Sequence, residues 1–448
     1  MSNRVLKKVN RRRALAMIGA AMVRPAVAAS DPRADFDVVI VGAGAAGIAA
    51  ARRVAAAGLT YVVFEANDRW GGRCHTDTRT FGIPYDRGAR WLYEPDSNPL
   101  GNLATKFGMR LDSGFVPLRL RVGVRDGHLS ELEQLLSGLL RCRRAIAEMA
   151  KGPVDASCAE ALPKDLVDWR PTIEFMLGPH MCGRELREVS SRDFANLSER
   201  DSRAQCPQGI GTLIGKLAVG SPIQFYSPVT AVEWGGPRIK VEVRGATLTA
   251  NAIVITASTG VLGSGKINFR PALPVRYLEA INKLQPGHLD NVAIQFKGNP
   301  LGLKDNELVQ QKVASQRTAV LLANQFGSSL CTVELSGASG RDLANEGDAA
   351  MIAFAQQWIA DLLGSDARRS VLRATTSRWS KEPWILGAMF VAPPGEQSTR
   401  ATLSAPLNDR LWFAGEATHQ TSWGTVEGAW ESGERAANGV VERIHRKA

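Results

Sequence analysis

The segment Gly42-Ala43-Gly44-Ala45-Ala46-Gly47 places three glycines at the spacing that lets a backbone turn embrace a pyrophosphate. Gly42 permits a tight turn, Gly44 lets the backbone approach a phosphate, and Gly47 lets a following helix pack closely on its strand. Unpaired N–H groups at a helix start carry partial positive charge, and they are the chemistry that holds phosphate there. Glu65 lies eighteen residues after Gly47, where a carboxylate can accept hydrogen bonds from ribose hydroxyls. An acidic residue at this place serves FAD or NAD alike.

Such a turn works only between the right elements. Phe36-Asp37-Val38-Val39-Ile40-Val41 is rich in β-branched residues and reads as a buried parallel strand. Residues 48–57 are alanine-rich and helical, with Gly58 as a stop. Tyr61-Val62-Val63-Phe64 is a second strand, closed by Glu65. Together they form one β-α-β unit. Residues 129–150 have helical spacing, and residues 163–190 look mostly helical, with Pro171 and Pro179 as breaks. Strand character returns in 222–243 around a Gly235-Gly236 turn, in 252–256, in 289–296 and in 318–335. Residues 347–363 read as an amphipathic helix, 411–414 as a last strand and 426–445 as a last helix. The expected class is α/β: a discontinuous Rossmann-like domain with an interleaved α+β domain.

The chain has 448 residues and a formal charge of +11, but seven of its basic residues lie in residues 1–29, which hold no acidic residue. The remainder is only mildly basic, which argues against nucleic acid as a partner. Arg11-Arg12-Arg13, the apolar run 14–23 and Ala26-Val27-Ala28 read as a signal peptide, with paired arginines that suit twin-arginine export to a periplasm. A basic tail on a cytoplasmic enzyme is the competing reading. No run reaches the length of an integral membrane segment. The six cysteines have no metal-like spacing with the histidines; free thiols are expected, with a Cys142–Cys158 disulfide allowed by export.

Several further motifs, in order along the chain, resemble those of the flavin amine oxidase family. Glu65-Ala66 leading to Gly72-Arg73 resembles its second FAD signature, and Gly88-Ala89-Arg90-Trp91 its segment beside the flavin. The region around Val229, then 254–274, is similar to the central FAD piece; Arg378-Trp379, Pro383 and Gly387 fit the approach to the flavin ring. Gly415-Glu416 through Thr425, Val426 and Glu427 to Ala437 resembles the C-terminal signature. The resemblance implies FAD held by Gly42, Gly44, Ala46, Gly47, Glu65, Ala66, Gly72, Arg73, Gly88, Ala89, Arg90, Trp91, Val229, Trp379, Gly415, Glu416, Thr425 and Val426. It implies a FAD domain in 35–114, 205–275 and 400–448, and a substrate domain in 115–204 and 276–399. Glu416 would reach ribityl or, through water, pyrophosphate groups, and the helix starting near Thr425 would face the flavin pyrimidine. The activity implied is transfer of a hydride equivalent from the α-carbon of a primary or secondary amine to flavin N5. Imine hydrolysis and reoxidation by dioxygen to hydrogen peroxide follow. No metal is implied, and a homodimer is compatible.

The sequence departs from the family's pattern at the substrate side. Asn291 stands at the position of the usual lysine near the flavin; Lys297, six residues on, is roughly 20 Å away along a strand. Alternation puts His288 and Asp290 on the opposite face. Met389 and Thr425 occupy the places of the usual aromatic cage, with Trp423 and Phe390 as substitutes and Trp430 expected in the core. Asn291, Met389, Trp423 and Thr425 are therefore the candidate catalytic residues. Ala388 replaces the cysteine that links some members to FAD, so the cofactor is expected to be non-covalent. Glu94 and Asp96 read as solvated loop charges, or else as a polyamine-directed mouth. A flavin enzyme of the same fold acting on a non-amine, such as a desaturase, and a non-catalytic FAD-holding module remain alternatives.

Overall fold

The computed structural model describes residues 34–166, 168–198, 202–313 and 317–447. The leader expected in residues 1–29 lies outside the described residues.

Strand β1 (Phe36–Val41), helix α1 (Ala45–Ala56) and strand β2 (Tyr61–Phe64) form the expected β-α-β unit. Around it five strands run parallel in the order Leu411–Phe413, Ala246–Ile255, β1, β2 and Ile223–Gln224. All six β1 residues are buried, because both faces of the sheet are covered. Val38 and Ile40 face a core shared with α1 and the last helix, Val426–Lys447. Val39 and Val41 face a second core containing Ile253, Tyr277 and Phe413. The strand Ala246–Ile255 is longer than its sequence suggested. Its first half pairs antiparallel with Ile239–Val243, and its second half pairs with Leu411–Phe413. The last helix crosses α1 so closely that a Cβ on Gly433 would lie 2.1 Å from the Ala46 carbonyl oxygen.

A second sheet has seven strands, ordered Val371–Thr376, Leu289–Phe296, Leu330–Ser336, Val320–Leu322, Leu308–Gln311, Leu118–Val122 and Arg125–Asp126. Val292, Ile294, Val333 and Leu321 pack beneath the helix Asp348–Leu363. Alternation then turns Leu289, Val320, Leu322 and Glu334 to the other face, where they border the principal cavity. The strand Leu118–Val122, which pairs parallel with Leu308–Gln311, carries no sequence signal strong enough to have been expected.

The helical part sits over the outer end of that cavity. The helical run is interrupted at Pro171 and Pro179 as expected, and each proline occupies the first turn of the helix that follows, Arg170–Leu177 and Pro179–Cys182, where the missing N–H costs nothing. All six cysteines are buried and free, so the disulfide allowed between Cys142 and Cys158 is not formed. Among the described residues no helix is long and apolar enough to cross a membrane.

Candidate active site

A cavity of about 450 Å³ opens at the carboxyl ends of β1 and β2 and runs outward beneath the second sheet. Its inner end is backbone. Gly42 has φ +98°, so only glycine takes the turn without strain. A Cβ on Gly47 would lie 1.9 Å from the Gly42 carbonyl oxygen, so Gly47 closes the turn upon itself. A Cβ on Gly44 would meet only the Gly71 oxygen at 4.0 Å, which leaves its cavity side open. Helix α1 starts there with no side-chain cap and no acidic residue in its first turn. Its free N–H groups face the cavity, as an anion requires. Glu65 is buried and accepts from the Ala43 N–H at 2.7 Å and the Asn67 N–H at 2.9 Å. Each carboxylate oxygen keeps a lone pair for a ribose hydroxyl.

Farther along, Arg73 donates to Glu416 and to the Ala388 carbonyl, at 2.8 and 2.9 Å. The second Glu416 oxygen accepts from the Gly424 N–H at 2.9 Å. Glu416 thus ties the C-terminal loop to the 70s segment while it borders the cavity. Thr425 caps the last helix: its hydroxyl accepts from the Gly428 N–H at 3.0 Å and donates to the Ser422 carbonyl at 2.7 Å. Gly88 is pressed between Arg73 and Trp379; its Cβ would lie 2.1 Å from the Arg73 carbonyl oxygen. Trp379 is held through its N–H to Asp290 at 2.8 Å.

The outer end is built from side chains. Arg90 donates to Thr332 at 2.8 Å and to Asn291 Oδ1. His180 Nδ1 lies 2.6 Å from Glu334 Oε1. Burial pushes Glu334 up, but His180, Arg90 and Arg203 outweigh it and hold the carboxyl below its ordinary value. Arg203 lies over the Trp91 ring, 4.3 Å from its centroid. Burial lowers its pKa, with Tyr93 and Glu334 acting in the opposite direction. Arg143 stands at the exposed rim, and Met176, Leu177, Met181, Leu289, Leu308 and Leu322 supply apolar wall.

The structure gathers Gly42, Gly44, Ala46, Glu65, Ala66, Gly72, Arg73, Gly88, Ala89, Arg90, Trp91, Val229, Trp379, Met389, Gly415, Glu416, Thr425 and Val426 around this one cavity. Three expected residues are not on its lining. Gly47 acts behind the turn. Asn291 is fully buried, covered by Arg90 and bonded to the Arg87 carbonyl at 3.1 Å. Trp423 is drawn into the junction of the helical part by Asp193 and by Arg400, whose guanidinium lies 4.6 Å from its ring. Phe390 and Trp430 are core residues. Glu94 bonds Ser202 through both carboxylate oxygens at 2.8 Å. Sequence reasoning missed His180, Glu334, Arg203 and Arg143; their only signal was residue type, with no spacing to join them.

A glycine turn on a parallel sheet, a ribose-directed carboxylate and one cavity shared with a second sheet define a dinucleotide-binding fold. Residues 45–441 match the family described as flavin containing amine oxidoreductase, and the chain belongs to that family. It is 27% identical over 440 residues to human lysine-specific histone demethylase 2, covering 90% of this chain and 53% of that protein. The chain therefore spans about half the length of that relative. It is 28% identical over 445 residues to polyamine oxidase 2 of Arabidopsis thaliana, covering 91% and 88%. Among solved structures it resembles wild-type putrescine oxidase bound to putrescine (TM-score 0.78, 18% identity, 91% and 99% covered). It also resembles cyclohexylamine oxidase from Brevibacterium oxydans (TM-score 0.77, 21% identity, 92% and 99% covered). The chain has the fold of these oxidases, and its residues fit the flavin that the family's description names. The uncapped α1 start, the open side of Gly44 and the spare lone pairs of Glu65 are what an adenine dinucleotide needs.

Proposed function

We propose that this protein holds FAD non-covalently and oxidises a primary or secondary amine. When bound, FAD supplies the acceptor for a hydride equivalent from the amine α-carbon and passes those electrons to dioxygen as hydrogen peroxide. Gly42, Gly44 and the α1 N–H groups would hold the pyrophosphate, Glu65 the ribose, and the Thr425–Val426 helix start the electron-rich end of the ring. Ala388, at the position of the linking cysteine, offers no nucleophile. Met389 and the apolar wall keep bulk water from the reacting carbon. Glu334 is held ionised by His180, Arg90 and Arg203, so it can accept a hydrogen bond from the substrate's ammonium group and orient it, while the proton that the amine must lose before it reacts passes to solvent. The released imine hydrolyses in water.

The observation that carries this reading is the continuity of one cavity from the glycine turn to the Glu334–His180 pair. The test is anaerobic mixing of FAD-loaded protein with a panel of primary and secondary amines. Bleaching of the flavin, followed by hydrogen peroxide on admitting air, is expected; a flavin that no amine bleaches rejects the amine reading. A second reading, an oxidoreductase acting on a non-amine, draws support from Asn291 in the usual lysine position, buried beneath Arg90. We also propose export through the leader. Periplasmic accumulation that is lost when Arg12 and Arg13 are replaced by lysine would support it.

A further inference from the structure

We propose that the substrate carries an anionic group, most simply a carboxylate, besides its amine, and that Arg203 on the Trp91 ring receives it. This rests on the amine-oxidising reading above and adds a substrate class to it.

The charges on the cavity wall carry the inference. At the inner end Arg73 is matched by Glu416 at 2.8 Å. At the outer end three guanidiniums, Arg90, Arg143 and Arg203, border the space with a single carboxylate, Glu334. That carboxylate is already engaged with His180. Arg90 spends its donors on Thr332 and Asn291. Among the described residues Arg203 makes no direct ion pair, although it is half-buried; it lies over the aromatic face of Trp91, with Glu334 acting on it from farther off. Its backbone is fixed, because Arg203 pairs with Tyr93 in a short antiparallel ladder directly after Trp91.

A guanidinium held over a ring face spends no N–H on a protein acceptor there, and its donors have the fork geometry that matches a carboxylate. A partly desolvated cation with no carboxylate in direct contact is costly, and a ligand anion lowers that cost. A substrate bearing only positive charge meets the reverse situation: three arginines repel it and one shared carboxylate does not offset them, a polyamine being repelled most of all. An amine with a carboxylate answers both ends, the amine at Glu334 and the anion at Arg203. A positive wall could instead serve only to favour the neutral form of any amine. That explanation gives no advantage to a carboxylate.

The test uses FAD-loaded full-length protein and a matched pair of unreactive probes, phenylacetate and phenylacetamide, titrated by calorimetry. Phenylacetate is expected to bind at least about tenfold more tightly than the amide, with Arg203→Met erasing the difference and Arg203→Lys restoring part of it. Melting curves and retained flavin confirm that each variant is folded. Equal binding of the two probes overturns the proposal, as does a preference that survives in Arg203→Met. Chloride displacing phenylacetate at comparable concentration reduces the site to an adventitious ion only. Amines that bleach the flavin while phenylacetate shows no preference leave the amine reading standing and remove this one. An Arg203-dependent preference with no amine bleaching does the opposite.

Discussion

At the glycine-turn end of the cavity, the groups that meet a ligand are mostly backbone: the α1 N–H groups, the open flank of Gly44 and the turn at Gly42. At the outer end they are side chains delivered by separate elements: His180 from a short helix, Glu334 from the second sheet, Arg203 from a two-residue strand. The inner end is fixed by what a chain without a Cβ can do over six residues. The outer end is fixed by which charged groups tertiary packing brings together. The first kind of site tolerates almost no change in residue type. The second can be rewritten one side chain at a time, which suits a scaffold whose relatives are named for different amines.

The largest effect is expected where the side-chain-built half is joined to the sheet of the cofactor half. Arg400 and Asp193 are both almost fully buried and meet in a fork, at 2.8 Å for each contact. Arg400 also donates to the Ala417 and Phe390 carbonyls, both at 2.9 Å. Asp193→Asn leaves a buried cation without its counter-charge and should cost about 3–5 kcal/mol of unfolding free energy, read by urea denaturation. Replacing both partners with apolar residues, Asp193→Leu with Arg400→Met, should recover most of that loss. A single variant that costs under about 1 kcal/mol would mean the junction is held by packing around Trp423, not by charge.

The inner end is tested by adding one carbon. Gly47→Ala puts a methyl 1.9 Å from the Gly42 carbonyl oxygen, and the obstacle is backbone that cannot rotate away. Opening the turn should cost about 1–3 kcal/mol, which corresponds to roughly 5- to 150-fold weaker FAD retention. Dialysis followed by flavin fluorescence measures it. Flavin retention unchanged from that of the unaltered chain would mean that the turn does not set cofactor affinity, and the contrast between the two ends would lose its basis.

The same contrast explains what was legible in the sequence. β1, α1 and β2, the three glycines and Glu65 could be read because each constraint is local: a buried run, a positive φ, a fixed offset. The C-terminal motif could be read because Glu416, Gly424 and Thr425 are neighbours in one loop. The resemblance placed Asn291 beside the flavin, but nothing local announced that Arg90, 201 residues away, would cover it. Trp423 likewise looked available until Asp193 and Arg400 claimed it. His180 and Glu334 are 154 residues apart, and no periodicity joins them. Pro171 and Pro179 carried a real local signal that fits the start of a helix as well as its end, so the neighbouring segments had to decide.

The mildest prediction changes a slope and not the folded state, and it concerns the strand that crosses from the core to the cavity wall. Burial raises Asp290 from 3.8 to about 6, against hydrogen bonds from the Trp379 N–H and the Ser377 hydroxyl. Two residues earlier, burial together with Arg341 and Arg184 lowers His288 from 6.5 to about 4. The signs oppose. Between about pH 4 and 6 folded Asp290 holds a proton that the unfolded chain has released, so its contribution to stability falls as pH rises. Over the same window the unfolded chain protonates His288 while the fold keeps it neutral, so that contribution falls as pH drops. The wild-type profile should therefore be nearly level with respect to this pair. Asp290→Asn keeps an oxygen for Trp379 and Ser377 but removes the first contribution, so its melting temperature should fall more steeply than the wild type's from pH 6 to pH 4. His288→Gln should tilt the profile the other way. Parallel profiles for wild type and both variants would mean that water reaches this strand, and that the outer half of the cavity is wetter than its packing implies.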